Sequence, residues 1–223
     1  MNTELIRARH SVRQYKAMPI EQEIRDQLNE YVRSINEESG LHLQVLCDEP
    51  ECFSSRIAHY GKFENANNYI AVVGKNTPDL DEKAGYYGEK VVLKAQELGL
   101  NTCWAAMGKG RGKEKIGEGE REVIIISLGY GRTQGSAHRS KKAEKVSNLS
   151  TESPEWFQKG VEAALLAPTA MNQQRFYLRQ EGNTVKAEIP KIGVFLKLDL
   201  GIVKCHFELG SSEALSDVNF TWR

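Results

Sequence analysis

The sequence predicts an α+β protein with mixed or antiparallel sheets flanked by helices. Amphipathic stretches at helical spacing recur between short apolar runs, and Gly or Pro punctuates most of the junctions. With 223 residues, 40% hydrophobic and 27% charged, the chain can bury one large core or two joined halves.

The first helix runs from Pro19 to Glu38, where Ile24, Leu28, Tyr31, Val32 and Ile35 form one apolar face. Gly40 stops it, and Leu41, Leu43 and Val45 then alternate with polar residues as a strand. Tyr69 to Val73 is a short apolar strand ended by Gly74. A second helix spans Asp81 to Leu98, with Gly99 as its C-terminal cap. Val123 to Leu128 is continuously apolar and rich in β-branched residues, which predicts a strand buried on both faces.

From Arg132 to Thr151 the composition turns basic and polar, and a linker there divides the chain into 1–145 and 146–223. Ser153-Pro154-Glu155 starts the next helix, with the Ser hydroxyl as cap and Pro at the first helical position; Pro168 ends it. Strands are expected at Phe176–Arg179, Thr184–Ile189 and Gly193–Leu198, and a last helix over Gly201–Leu209. The order helix, loop, strand thus occurs twice. A degenerate internal duplication and chance recurrence of common elements both fit it.

Lys+Arg and Asp+Glu both number 30, so the formal net charge is zero and no global attraction draws the chain to nucleic acid or an anionic membrane. Any anion site must be a local cluster. Cys47, Cys52, Cys103 and Cys205 lack Cys-x-x-Cys spacing, and His59 and His138 complete no zinc pattern. They read as free thiols in a reducing compartment. Met1 to Glu4 has no apolar signal core, and no run approaches the ~20 apolar residues of a membrane span, so a cytoplasmic protein is expected.

Three segments carry residues suited to a ligand. In Arg9-His10-Ser11-Val12-Arg13-Gln14-Tyr15, two guanidinium groups with a hydroxyl between them can converge on a phosphate, and helical spacing would put Arg9 and Arg13 on one side. Read alone, the cluster fits a solvated basic turn as well. In Ala167-Pro168-Thr169-Ala170-Met171-Asn172-Gln173-Gln174, small residues let backbone approach a flat ligand, and Thr169, Asn172 and Gln173 offer hydrogen bonds. An ordinary helix-to-strand connection has the same composition. Gly99-Leu100-Asn101-Thr102-Cys103-Trp104-Ala105-Ala106-Met107-Gly108 can expose backbone N–H groups, although Trp104 and Met107 suit a core equally.

Together these segments resemble the nitroreductase superfamily. Arg-His-Ser-Val-Arg-Gln-Tyr is similar to its Arg-x-Ser-x-Arg-x-Phe/Tyr phosphate signature, and Ala-Pro-Thr-Ala-Met-Asn-Gln-Gln to its Ala-Pro-Ser-x-x-Asn-x-Gln-Pro segment. Gly-Leu-Asn-Thr-Cys-Trp and Ile126-Ser-Leu-Gly-Tyr130 resemble two further family segments. The resemblance implies a nitroreductase-like fold and non-covalent FMN. By it, Arg9, His10, Ser11 and Arg13 face the phosphate, and Pro168, Thr169, Ala170 and Asn172 approach the isoalloxazine ring. Ala106 and Met107 present backbone to the ring edge, and Arg139 and Lys141 reach the phosphate or ribityl chain.

It further implies a ping-pong passage of electrons from NAD(P)H to a nitroaromatic, quinone or similar small-molecule acceptor, with no catalytic side chain required. The alternative is a non-catalytic flavin-binding or flavin-storage protein. Ordinary members are homodimers whose Ala-Pro-Ser segment comes early. Here that segment falls in the second half, and Arg175 replaces the usual proline. This pattern fits a single-chain subfamily whose two rearranged halves imitate the dimer, as a monomer or a weak homodimer.

Overall fold

The computed structural model describes residues 3–54, 61–106, 112–213 and 220–223. The first sheet holds β1 (His42–Leu46), β2 (Asn68–Lys75), β3 (Asn101–Ala105) and β4 (Glu120–Gly129), in the order β1-β2-β4-β3 and antiparallel throughout. β2 and β4 pair at its centre and are buried along most of their length, as the apolar run Val123–Leu128 predicts.

On one face of this sheet lie α2 (Gln22–Ser39) and α3 (Leu80–Glu97), which follow a short N-terminal α1 (Thr3–Ala8). α2 buries Leu28, Val32 and Ile35, the face its periodicity predicts. Gly40, in the left-handed region at φ 69°, donates its N–H to Asn36 O and ends it. The opposite face of the sheet buries Phe53, Phe63, Tyr69, Cys103 and Ile125.

A second core forms around Trp156, Phe157, Val161, Leu178, Val185 and Phe207. It lies between α4 (Glu155–Ala164), the long α5 (Leu196–Glu213) and a smaller sheet of β5 (Tyr177–Glu181), β6 (Thr184–Glu188) and β7 (Thr221–Trp222). β5 and β6 are antiparallel, and β7 joins β6 in parallel. The chain enters this core at Val146, whose carbonyl accepts the Leu178 N–H at 2.8 Å.

α3 and α5 join the two cores. A Cβ on Gly85 would run into the carbonyl oxygen of Leu198, and one on Gly201 into that of Glu82. Only glycine lets these backbones touch, and this close crossing places the first turns of α5 beside β3.

Three expectations need correction. Gly193–Leu198 form no strand: Phe195 adopts φ 57°, its carbonyl accepts the Asp199 N–H at 2.8 Å, and α5 begins at Leu196 rather than at Gly201. Val194, Leu196 and Leu198 alternate as in a strand, but Leu198, Ile202 and Cys205 also share one helical face, and the buried helical face wins. Pro154 is itself the N-cap of α4, and the Ser153 Oγ accepts the Ser150 N–H instead of capping the helix. Helix α1 and strands β3 and β7 were not anticipated; the last two are short or depend on distant partners.

Candidate functional site

The Arg9–Tyr15 segment is extended. α1 ends at Ala8, so helical spacing does not bring Arg9 and Arg13 together. Instead Ser11 bridges in parallel to Thr102 of β3, and Val12 donates its N–H to Thr102 O at 3.0 Å. Tyr15 and Lys16 donate theirs to Glu64 O and Tyr130 O. The buried Tyr15 hydroxyl donates to Val12 O at 2.7 Å and meets Ser127 Oγ at 2.7 Å, stapling the segment to β4. Val12 enters the core while Ser11 and Arg13 line a cavity, as alternation along an extended chain dictates.

That cavity, of about 330 Å³, is lined by Arg9, His10, Ser11, Arg13, Ser136–His138, Pro168, Thr169, Met171 and Asn172. A second cavity of about 260 Å³ continues from it and shares Ser11, Arg13, Pro168, Thr169 and Met171. Its further lining comes from Phe63, from Cys103, Trp104, Ala105, Ala106 and Ile124 in and beside the first sheet, and from Ala170, Phe195, Leu198, Asp199 and Ile202. One end of the cleft is therefore cationic and the other apolar. Gly135, at φ 75°, lets the 132–138 loop lie against His10, where a Cβ would come within 2.7 Å of the His10 Cβ.

The 168–174 turn forms the shared wall, and its backbone is strained. Met171, Asn172 and Gln174 adopt φ of 51°, 53° and 43°, which costs of order 1–3 kcal/mol for each such residue. A dense set of hydrogen bonds holds it. Thr169 Oγ1 accepts the Gln174 N–H at 3.0 Å, and Asp199 accepts the Ala170 N–H at 2.9 Å and Gln173 Nε2 at 2.6 Å. Asn172 Nδ2 and Gln174 Nε2 donate to Arg139 O, while Lys141 Nζ donates to the carbonyls of Gln173 and Gln174 at 2.8 Å.

The structure thus gathers Arg9, His10, Ser11, Arg13, Ala106, Pro168, Thr169, Ala170 and Asn172 around one cleft. Met107 lies outside the described residues. Arg139 and Lys141 do not line either cavity; they brace the turn from behind, and Ser136, Ala137 and His138 stand at the cavity in their place. Sequence reasoning also missed Phe195, Leu198 and Asp199, because the start of α5 reads as a strand and a gap, and Ile202, whose helical face no local signal points at the cavity.

Arg9 and Arg13 are electrostatically unlike. Arg9 is buried, its Nε 3.6 Å from Oε1 of the fully buried Glu89. Glu89 also accepts Trp104 Nε1 at 2.8 Å and lies 2.8 Å from His206 Nε2, so one carboxylate ties α3 to α1's exit, β3 and α5. Arg13 is exposed, and among the described residues it has no ion-pair partner. Burial, then the Arg9 charge, holds His10 below its ordinary pKa, which favours a neutral ring at the cavity wall. Burial pushes the Cys103 thiol up, which argues against a nucleophile. Burial also raises Asp199 to about 6.

The fold and cleft define an α+β protein of the nitroreductase type. The chain belongs to the family described as "Putative TM nitroreductase", which matches residues 2–211. A "putative nitroreductase" from Thermotoga maritima aligns over 96% of this chain and 85% of its own, with 23% identity and a TM-score of 0.69. An FMN-dependent nitroreductase from Clostridium difficile covers 64% of this chain and 95% of its own, with 22% identity and a TM-score of 0.50. A "Putative NADH dehydrogenase/NAD(P)H nitroreductase" from Bacteroides thetaiotaomicron covers 66% and 97%, with 18% identity and a TM-score of 0.51. At these identities the likenesses establish the fold. No curated protein matches the sequence.

Proposed function

We propose that the cleft holds FMN and that the protein passes electrons from NAD(P)H to a nitroaromatic, quinone or similar acceptor. The observation that carries this is the junction of a cationic cavity with an apolar one, a match to a ligand that is phosphate at one end and a flat ring at the other. Arg9, Ser11 and Arg13 hold the phosphate through charge-assisted and neutral hydrogen bonds, and His10 adds a polar ring beside them. Pro168, Thr169, Ala170, Ala105 and Ala106 line the apolar cavity and would be the residues that hold the ring. Asn172 steadies the turn through Arg139 O.

When bound, FMN supplies the two-electron chemistry, and the chain contributes position and electrostatics. Arg13 lines both cavities, so its charge favours an electron-rich ring as well as the phosphate. Each part of the chain supplies walls: 1–145 gives Arg9 to Arg13 and Ala106, and 146–223 gives the turn and Asp199. On this reading the division 1–145 and 146–223 makes one complete site per chain, in a pseudo-dimeric monomer or a weak homodimer. The order helix, strand, strand, helix does recur in the two parts, α2-β1-β2-α3 and α4-β5-β6-α5.

No described helix is long and apolar enough to cross a membrane. A cytoplasmic location accords with four cysteines that are all free thiols. The test is spectroscopic. The purified protein, mixed with FMN, should show a bound-flavin spectrum that bleaches with NADH or NADPH without oxygen and returns with a quinone. A bound flavin that neither nicotinamide reduces would leave a storage protein; no flavin binding would remove both readings.

A further inference from the structure

We infer that Asp199 is the positioning residue for the ring end of the cleft, holding the 168–174 turn in its strained form only while it is a carboxylate. This rests on the flavin reading of the cleft. Asp199 sits in the first turn of α5, is buried, and lines the apolar cavity. Its Oδ1 accepts the Ala170 N–H at 2.9 Å and its Oδ2 accepts Gln173 Nε2 at 2.6 Å. Those two donors flank Met171 and Asn172, both with positive φ.

An ionised carboxylate accepts at both oxygens, whereas the neutral acid turns one oxygen into a donor. Protonation therefore sets an O–H against one of the two N–H groups, and the turn loses a support. The Ala170 N–H contact comes directly from the wall that faces the ring cavity. A shift of the turn there changes the cavity's width rather than its charge.

The surroundings give the carboxylate little help. Among the described residues no ion pair reaches Asp199. Arg13 and Cys103 line the same cavity. On α3, packed against α5, Glu82 is paired to Lys204, and Glu89 to Arg9 and His206. On its own helix Lys197 donates to Pro78 O, away from the cavity. Burial is the dominant influence and lifts the group to about 6, against the opposing pull of the two accepted hydrogen bonds.

Riboflavin is the probe, because it lacks the phosphate that titrates in the same range and that His10 faces. Its affinity for the full-length protein is measured by flavin fluorescence between pH 5 and 8. Wild type should bind several-fold more weakly at pH 5 than at pH 7.5, up to about tenfold for one titrating group, with a midpoint near 6. Asp199→Asn should bind weakly at every pH with a flat profile, and its flavin-free thermal midpoint at pH 7.5 should equal or exceed that of wild type. Gln173→Ala removes one accepted hydrogen bond and should move the midpoint upward.

A flat wild-type profile, full affinity in Asp199→Asn, or lost affinity together with a lowered thermal midpoint would each overturn the inference. Should Asp199→Asn fail to fold, the wild-type titration and the Gln173→Ala midpoint decide alone. FMN bound tightly at pH 7.5 with no such pH profile refutes only this inference. Failure to bind FMN or riboflavin at any pH refutes the flavin reading with it.

Discussion

Replacing Arg13 with Ala, read with FMN and riboflavin side by side, tests the phosphate end of the cleft. Arg9 is a poor target, since it is buried against Glu89 and its removal would strand a carboxylate in the core. Arg13 is exposed and lines both cavities, so its truncation should leave the fold intact. Hydrogen bonds to a charged group contribute about 1.5–3 kcal/mol, and each 1.4 kcal/mol is about tenfold in affinity. The dissociation constant for FMN should therefore rise about ten- to hundredfold. Riboflavin, which lacks the phosphate, should change about threefold or less by the loss of packing alone. Isothermal titration of both ligands, at low and high salt, reads the difference directly. The FMN penalty should shrink as salt screens an exposed charge, because the screening length at 0.1 M is about 10 Å. Equal losses for FMN and riboflavin, or no loss for either, would show that the phosphate does not lie at Arg13.

Three further outcomes concern stability. Glu89→Gln should destabilise the flavin-free protein by about 3–5 kcal/mol in urea unfolding, since it leaves the buried Arg9 unpaired, and should perturb the fluorescence of Trp104, whose indole donates to Glu89. Gly201→Ala should lower the thermal midpoint, at a cost of about 1–3 kcal/mol or more, because the new Cβ meets the Glu82 carbonyl where α3 and α5 touch. For Asp199 the folded-state pKa is raised from 3.8 to about 6, so the folded protein binds the proton more tightly than the unfolded chain does. The resulting cost, of order 3 kcal/mol, is complete above pH 6 and disappears as pH falls towards 4. The stability gained by Asp199→Asn in urea should thus be large at pH 7.5 and small at pH 4.5.

Much of the fold was legible because its signals are local. The face Leu28, Val32 and Ile35 made α2 evident, and the unbroken Val123–Leu128 run made β4 a central strand. The N-terminal cluster was legible in composition and misleading in geometry. Arg9 to Tyr15 satisfies helical and extended spacing alike, and Thr102, Glu64 and Tyr130 decide between them from far along the chain. The turn after Pro168 was legible as a chain exit, but its positive φ angles fall on Met171, Asn172 and Gln174, where no glycine announces them. Asp199 was hidden for a different reason. Its role depends on the helical phase of α5, and that phase cannot be assigned while Leu196 to Leu198 is taken for a strand.

The cleft exists only where the two cores meet, and this bears on how the protein would hold a cofactor. Ser11 and Arg13 are held by β3 and β4 of the first sheet, whereas the 168–174 turn is held by Asp199 of α5. Among the described residues, neither core alone supplies both walls. The glycine contact between α3 and α5 sets their separation, and Glu89 reinforces it by reaching Arg9, Trp104 and His206 at once. A ligand seated across the cleft binds only the docked arrangement, and mass action then stabilises that arrangement as ligand concentration exceeds the dissociation constant. The strain in the turn runs the other way, since the carboxylate that maintains it is itself costly to bury. Rigid docking at the helices and a costly, adjustable wall at the turn are therefore separate features of the same site. The first determines whether the cleft forms, and the second determines what width it presents to a ring.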